Sequence, residues 1–243
     1  MTTIFDNLKQ TQARISAACR KYERPADSVR LLAVSKTVLP DQLRDAFAAG
    51  QTAFGENYVQ EGVGKIEALA DLRDAIEWHC IGPLQGNKTR PVAENFDWVH
   101  SVDRLKIAKR LSMQRPPHLP PLQVCLQINV DGGVNKSGVP ADEALALAHA
   151  VAALPGLRLR GLMAIPEPAT DFEAQRALFL RAAGVFDQIR ADGIELDVLS
   201  LGMSADLEAA IAAGSTMVRV GTGIFGQRGP VPAVNLHNGS PDA

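Results

Sequence analysis

Between residues 31 and 221 the chain repeats one pattern eight times: a short apolar run, then a longer connecting stretch, helical in its spacing where it is clearest. The runs are LLAVS (31–35), TAFG (52–55), EWHCIG (77–82), WVHSV (98–102), LQVCLQINV (122–130), LRLRGLMAI (157–165), VLSLG (198–202) and TMVRVG (216–221). Runs this short and apolar read as strands buried on both faces, and strands separated by helices pair in parallel. The connecting segment PDQLRDAFAAG opens on proline and closes on glycine, as helices favour. ADEALALAHAVAAL and DFEAQRALFLRAAGVFDQIRADG are further helices. Ahead of the first run, residues 3–22 place Ile4, Leu8, Ile15 and Ala18 on one face of an additional amphipathic helix.

Two α/β architectures satisfy this alternation, an open doubly wound sheet and a closed (β/α)8 barrel. The open sheet calls for GxGxxG after an early strand, and no such motif follows the first run. Eight strands in 243 residues match the barrel. The prediction is a single (β/α)8 TIM barrel over residues 1–228 with an extra N-terminal helix, followed by a flexible tail at 229–243 rich in Pro, Gly and Asn.

The totals exclude several function classes. With 25 basic and 27 acidic residues the net charge is -2, which gives no electrostatic footprint for nucleic acid or an anionic membrane. The three cysteines, Cys19, Cys80 and Cys125, are widely separated and fit a reducing compartment better than a disulfide scaffold or a zinc site. The N-terminus carries charges throughout and has no signal-peptide core, and no stretch approaches the ~20 apolar residues of a membrane span. A cytoplasmic protein is expected.

Barrels place their chemistry where strands end. The first strand delivers Lys36, the second leads to Glu56 and Asn57, and the third carries His79. The sixth ends at Met163, the seventh spans Ser200 and leads to Ser204, and the eighth carries Arg219 into Gly221, Thr222 and Gly223. VRVGTGIFG is a strand followed by a turn of small residues, whose consecutive N–H groups suit phosphate. SLGMSAD is also small and hydroxylated, with Ser204 placed as a helix N-cap. Taken singly these are ordinary turns. Together they occupy the two loops where barrels collect phosphate. In a closed barrel the eighth strand pairs with the first, so Lys36 lies beside Gly221–Gly223. A phosphate plus a carbonyl held by an amine describes pyridoxal 5′-phosphate (PLP), bound as a Schiff base.

Each candidate has a plainer reading. Lys36 alone is a solvated strand-end lysine. Arg219 either pairs with a barrel carboxylate such as Glu56 or faces the pyridine nitrogen of the cofactor. His79 either hydrogen-bonds a ligand or is a satisfied core histidine. Asn57 is read as a cap for the following helix whose amide could also reach a ligand.

AVSKT with Lys36, FGENYVQE, WHCIGPLQGNK, VNKSG, GLMAIP, LSLGMSADLEAAI and VRVGTGIFG, in this order, resemble the pyridoxal phosphate homeostasis proteins, the YggS/PROSC family. The resemblance covers about residues 1–228. It implies PLP fold type III, a barrel like the N-terminal domain of alanine racemase, with PLP on Lys36. Ligand contacts are implied near Asn57, Met163, Ser200, Ser204, Arg219 and Gly221–Gly223. The implied role is storage and delivery of PLP within the cell, possible recipients being apo-forms of PLP-dependent enzymes, with no firm catalytic turnover. Val38 stands where many bacterial relatives carry another lysine, and Lys136 matches a second family lysine.

The alternative is a PLP-dependent amino-acid racemase, which needs two bases on opposite faces of its substrate. The tyrosines are Tyr22, in the opening helix, and Tyr58, just after the second strand. A class I aldolase acting on a sugar phosphate ranks third. A monomer is expected, because the second lobe of the racemases is absent.

Overall fold

The computed structural model describes residues 2–131 and 137–226. The tail expected at 229–243, and Lys136, lie outside the described residues. Eight parallel strands form the barrel: β1 (Arg30–Val34), β2 (Ala53–Glu56), β3 (Glu77–Cys80), β4 (Trp98–Val102), β5 (Leu122–Asn129), β6 (Leu157–Met163), β7 (Val198–Ser200) and β8 (Met217–Val220). Each pairs with its sequence neighbours, and β8 returns to β1 with Leu32 opposite Arg219 and Ala33 opposite Val220. The ring is closed, which removes every sheet edge. A two-residue strand, Val139–Pro140, adds to β5 outside the ring.

The helices are α1 (Ile4–Lys21), α2 (Pro40–Ala48), α3 (Val59–Ala68), α4 (Thr89–Asn95), α5 (Leu105–Gln114), α6 (Ala144–Ala152), α7 (Phe172–Ala191), α8 (Leu207–Ala212) and α9 (Thr222–Phe225). Their starts follow local chemistry. Thr3 and Asp6 form a capping box on α1, Pro40 opens α2, and the Asp171 carboxylate accepts from the Ala174 N–H at the start of α7. The segment ADEALALAHAVAAL begins as a short 3-10 turn at Ala141–Glu143 before becoming α6.

Strand alternation divides the core in two. Leu32, Val34, Ala53, Ile81, Trp98, Cys125, Met163, Val198 and Met217 fill the barrel interior. Their neighbours, such as Leu31, Ala33, Phe54, Trp78, Val99 and Leu126, pack outward against the helices. One close approach depends on glycine. A Cβ on Gly161 would lie 1.6 Å from the Val198 carbonyl oxygen, so only glycine lets β6 and β7 pair there.

The extra N-terminal helix belongs to the site's scaffold. On α1, the Asn7 side-chain amide donates to the Ile224 carbonyl at 2.9 Å, and Arg14 donates to the Ser204 carbonyl at 3.0 Å and to Glu208. It thereby ties down the loops after both β7 and β8.

Candidate functional site

Lys36 follows β1 in the same parity as Leu32 and Val34, so its side chain belongs to the barrel's mouth and not to the helical shell. Both of its neighbours are gripped from behind. The Lys65 ammonium donates to the Ser35 carbonyl at 2.6 Å, to Glu56 Oε1 at 2.9 Å and to Glu61 Oε1 at 2.6 Å. The Ser35 hydroxyl donates to the same Glu56 oxygen, and the Thr37 N–H donates to Glu61. Thr37 has φ +62°, a left-handed conformation that is costly for a β-branched residue and persists only when its surroundings enforce it. Burial lifts the Glu56 carboxyl above its ordinary range, against the opposing pull of Lys65 and Ser35. The buried Glu56–Lys65 pair and the half-buried Glu61 thus fix the backbone on both sides of Lys36.

Arg219 is not paired with Glu56, whose cationic partner is Lys65. Its guanidinium Nη1 donates to the Ser200 carbonyl at 2.6 Å and hydroxyl at 2.7 Å, and Nη2 donates to the Ala164 carbonyl at 3.0 Å. The ends of β6, β7 and β8 therefore converge on one cation. Burial lowers the Arg219 pKa to about 10, which keeps it charged near neutrality. Met163 sits opposite Ser200 in the β6–β7 ladder and is buried beside it. His79 is fully buried. Its ring stacks on Trp98 with centroids 5.2 Å apart, and its Nδ1 lies 3.0 Å from His100 Nε2. His100 Nδ1 in turn lies 3.3 Å from the Ser200 hydroxyl, so His79 connects to the mouth through two other side chains.

The loops after β7 and β8 meet as a phosphate reading requires. A Cβ built on Gly223 would lie 3.7 Å from the Ser204 hydroxyl oxygen. Gly221 caps α9, and the Thr222 and Gly223 N–H groups have no acceptor among the described residues. Ser204 is not the N-cap of α8. That position is Asp206, whose carboxylate accepts from the Met203 N–H. The Ser204 hydroxyl is thereby released from a capping role. Asn57 likewise does not cap α3, where Tyr58 holds the N-cap position without a side-chain bond. The Asn57 Oδ1 is buried and has no hydrogen-bond partner among the described residues. Gly82 lets this loop close down: a Cβ there would sit 2.1 Å from the Asn57 carbonyl oxygen.

These residues fit PLP on their own chemistry. There is an amine three residues beyond the last β1–β8 pair, a turn of open N–H groups three residues beyond the same pair, a free serine hydroxyl beside it, and an orphaned amide oxygen. No group of His, Cys, Asp or Glu among the described residues could hold a metal ion. Sequence reading missed Lys65, Glu61 and His100. Glu61 and Lys65 carry a visible i,i+4 signal, but such a pair ordinarily lies on a solvated helix face. His100 stands at the centre of WVHSV as His79 stands in EWHC, and two histidines on adjacent inward-facing positions were a readable sign of contact.

The alanine racemase N-terminal domain model matches residues 7–229. A pyridoxal phosphate homeostasis protein of Pseudomonas aeruginosa is 55% identical over 228 residues, covering 94% of this chain and 97% of that protein. The chain belongs to the pyridoxal phosphate homeostasis protein family. Among solved structures of related proteins, PipY of Synechococcus elongatus with PLP bound is 36% identical and superposes with a TM-score of 0.77, over 88% of this chain and all of PipY (100%). Alanine racemase from Corynebacterium glutamicum shares the fold at 20% identity and a TM-score of 0.63, and the match covers 89% of this chain but 61% of that one. No helix among the described residues is long and apolar enough to cross a membrane.

Proposed function

We propose that this protein binds PLP at the barrel's mouth and serves intracellular PLP homeostasis by storing and delivering the cofactor. Lys36 holds it as a Schiff base. Ser204, Gly221, Thr222 and Gly223 receive the phosphate, and Asn57, Met163 and Ser200 line the rest of the site. Arg219 faces the ring nitrogen, and His79 acts on the site through His100 and Ser200. PLP supplies an aldehyde that condenses with amines and a ring that withdraws electrons. Arg219 has donors and no acceptor, so a ring nitrogen facing it stays unprotonated and the ring is a weak electron sink. The PLP-bound PipY structure and the names of the close relatives support this reading. The observation that carries it is the closure of the barrel, which pairs Ala33 with Val220, so that Lys36 and the Gly221–Gly223 turn follow the ends of neighbouring strands.

The test is an absorbance spectrum of purified protein incubated with PLP, before and after borohydride reduction. The expected result is a yellow protein whose imine band is lost on reduction, with the added mass on Lys36 and no band in Lys36→Ala. A colourless wild type sinks the reading. The racemase alternative needs a second base. Tyr22 stacks on Phe172, while Tyr58 is 59% exposed where β2 meets α3. Exchange of amino-acid α-protons with solvent deuterium, dependent on Tyr58, would establish that activity, and its absence across a panel of amino acids would remove it. The folding unit is placed at residues 1–228, as a monomer in the cytoplasm, which sedimentation and cell fractionation test. Capture of PLP from the loaded protein by apo-forms of PLP-dependent enzymes tests delivery.

A further inference from the structure

A chain of polar contacts crosses the barrel interior. It begins at Arg219 and passes through the Ser200 hydroxyl at 2.7 Å, His100 at 3.3 Å and His79 at 3.0 Å. It ends at Glu77, the first residue of β3, whose Oε2 lies 3.7 Å from His79 Nε2 and pairs with Arg30. Glu77 is 40% exposed at the opposite end of the barrel from Arg219, whereas Ser200, His79 and His100 are completely buried. A buried polar chain of this length requires a reason, since unsatisfied members are costly and an apolar interior is the simpler solution.

The direction of every bond follows from the two ends. Arginine only donates, and an ionised carboxylate only accepts. Burial lowers the pKa of both histidines, so each is neutral and carries one N–H. At 3.7 Å the Glu77 carboxylate is beyond a formed hydrogen bond to His79 Nε2, but it is the acceptor that faces this atom and favours the tautomer with the proton there, which leaves His79 Nδ1 bare to accept from His100 Nε2–H. His100 Nδ1 is then bare and accepts from the Ser200 hydroxyl, whose oxygen accepts from Arg219. The reversed arrangement would also fill the three inner hydrogen bonds, since the Ser200 oxygen can accept twice, so the charge of Glu77 beside His79 Nε2 is what selects this direction, and each link then imposes the next.

We propose that Glu77, His79 and His100 are positioning residues for the cofactor site: the Glu77 charge beside His79 sets the direction of the hydrogen-bond chain from His79 through His100, which fixes the Ser200 hydroxyl and thereby the Arg219 guanidinium. His79 thus affects the cofactor without touching it. The carboxylate at the far end of the barrel sets the tautomer of both imidazoles, and the tautomers set which way Ser200 points. The consequence for PLP rests on the binding reading above. The chain itself does not, and it can be tested without cofactor.

The experiment is nitrogen-15 histidine NMR of the full-length protein, first without PLP. Wild type is expected to show two neutral histidines with the proton on Nε2 that do not titrate between pH 6 and 8. Glu77→Leu removes the terminal acceptor and is expected to populate the reversed tautomer at His100, two links away, as well as at His79. Glu77→Gln retains an acceptor oxygen and should restore the wild-type pattern. This response at a distance, with rescue by glutamine, is what mere structural filling would not produce. With PLP added, Glu77→Leu is expected to shift the absorption band and weaken binding by roughly three- to tenfold, as for one impaired hydrogen bond. Titration of His79 or His100 between pH 6 and 8, or a His100 tautomer indifferent to Glu77→Leu, overturns the proposal. Intact tautomer coupling with no PLP binding overturns the cofactor reading alone. Intact coupling with PLP binding unaffected by Glu77→Leu overturns the positioning role.

Discussion

Replacing Lys65 by methionine tests the frame behind Lys36 most directly. Lys65 is 5% exposed and Glu56 fully buried, so the pair lies away from solvent screening. In Lys65→Met the Glu56 carboxylate keeps only the Ser35 hydroxyl as donor, and the Ser35 carbonyl loses its ammonium. A buried charge stripped of its partner costs about 3–5 kcal/mol. Glu56 can avoid that cost by taking up a proton, which sets a ceiling. From an ordinary pKa of about 4.3, protonation costs about 1.36 kcal/mol per pH unit, hence about 3.7 kcal/mol at pH 7 and about 1 kcal/mol at pH 5. The Ser35 carbonyl adds about 1 kcal/mol. In the variant the folded carboxyl has a raised pKa and binds more protons than the unfolded one. Stability therefore falls as pH rises from the unfolded towards the folded value. Because the native carboxyl is already raised, part of this cost is present in the wild type, and the expected loss is at most about 3–4 kcal/mol at pH 7 and at most about 1–2 kcal/mol at pH 5. Urea titrations followed through the buried Trp78 and Trp98 measure it. The double variant Lys65→Met/Glu56→Gln should recover most of the loss, because a neutral amide has no charge to strand. A loss below about 1 kcal/mol that is the same at both pH values would refute the reasoning, because an exposed pair would behave that way.

Other outcomes follow from the same structure. Gly161→Ala would drive a methyl into the Val198 carbonyl, 1.6 Å from its oxygen, and should destabilise the barrel by more than about 3 kcal/mol in the same titration. Thr37→Gly removes the penalty of a left-handed β-branched residue and should raise stability by about 1 kcal/mol, while slowing imine formation at Lys36 because its neighbour is no longer held. Burial pushes the thiols of Cys80 and Cys125 up to about 12, so neither should react with a thiol reagent at pH 8 until denaturant is added.

The candidate site was partly legible before the fold. Lys36 and Gly221–Gly223 were joined by one topological fact, that a closed ring of eight strands returns the eighth to the first. Ser204 and Asn57 were read as helix caps, but the N-cap positions belong to Asp206 and Tyr58. Capping depends on where the chain enters a helix to within one residue, and alternation does not locate that point. Arg219 was expected to point somewhere polar, and the carboxylate offered as its plainer partner pairs with Lys65 instead, while Arg219 donates to Ser200 and Ala164.

By itself the sequence determined the eightfold alternation, the two faces of each strand and the glycine turn that ends the last strand. These depend on period, length and backbone freedom, which are local properties of the chain. The tertiary structure alone decided which buried polar groups meet. Lys65 reads as half of a surface pair until α3 packs against β2 and makes it the cation behind Lys36. His79 and His100 are separate core residues until β3 and β4 lie side by side and bring their nitrogens to 3.0 Å. Hydrogen bonds and ion pairs act over a few ångströms between residues nine to a hundred positions apart, so partners are chosen by packing and closure of the barrel and not by spacing along the chain.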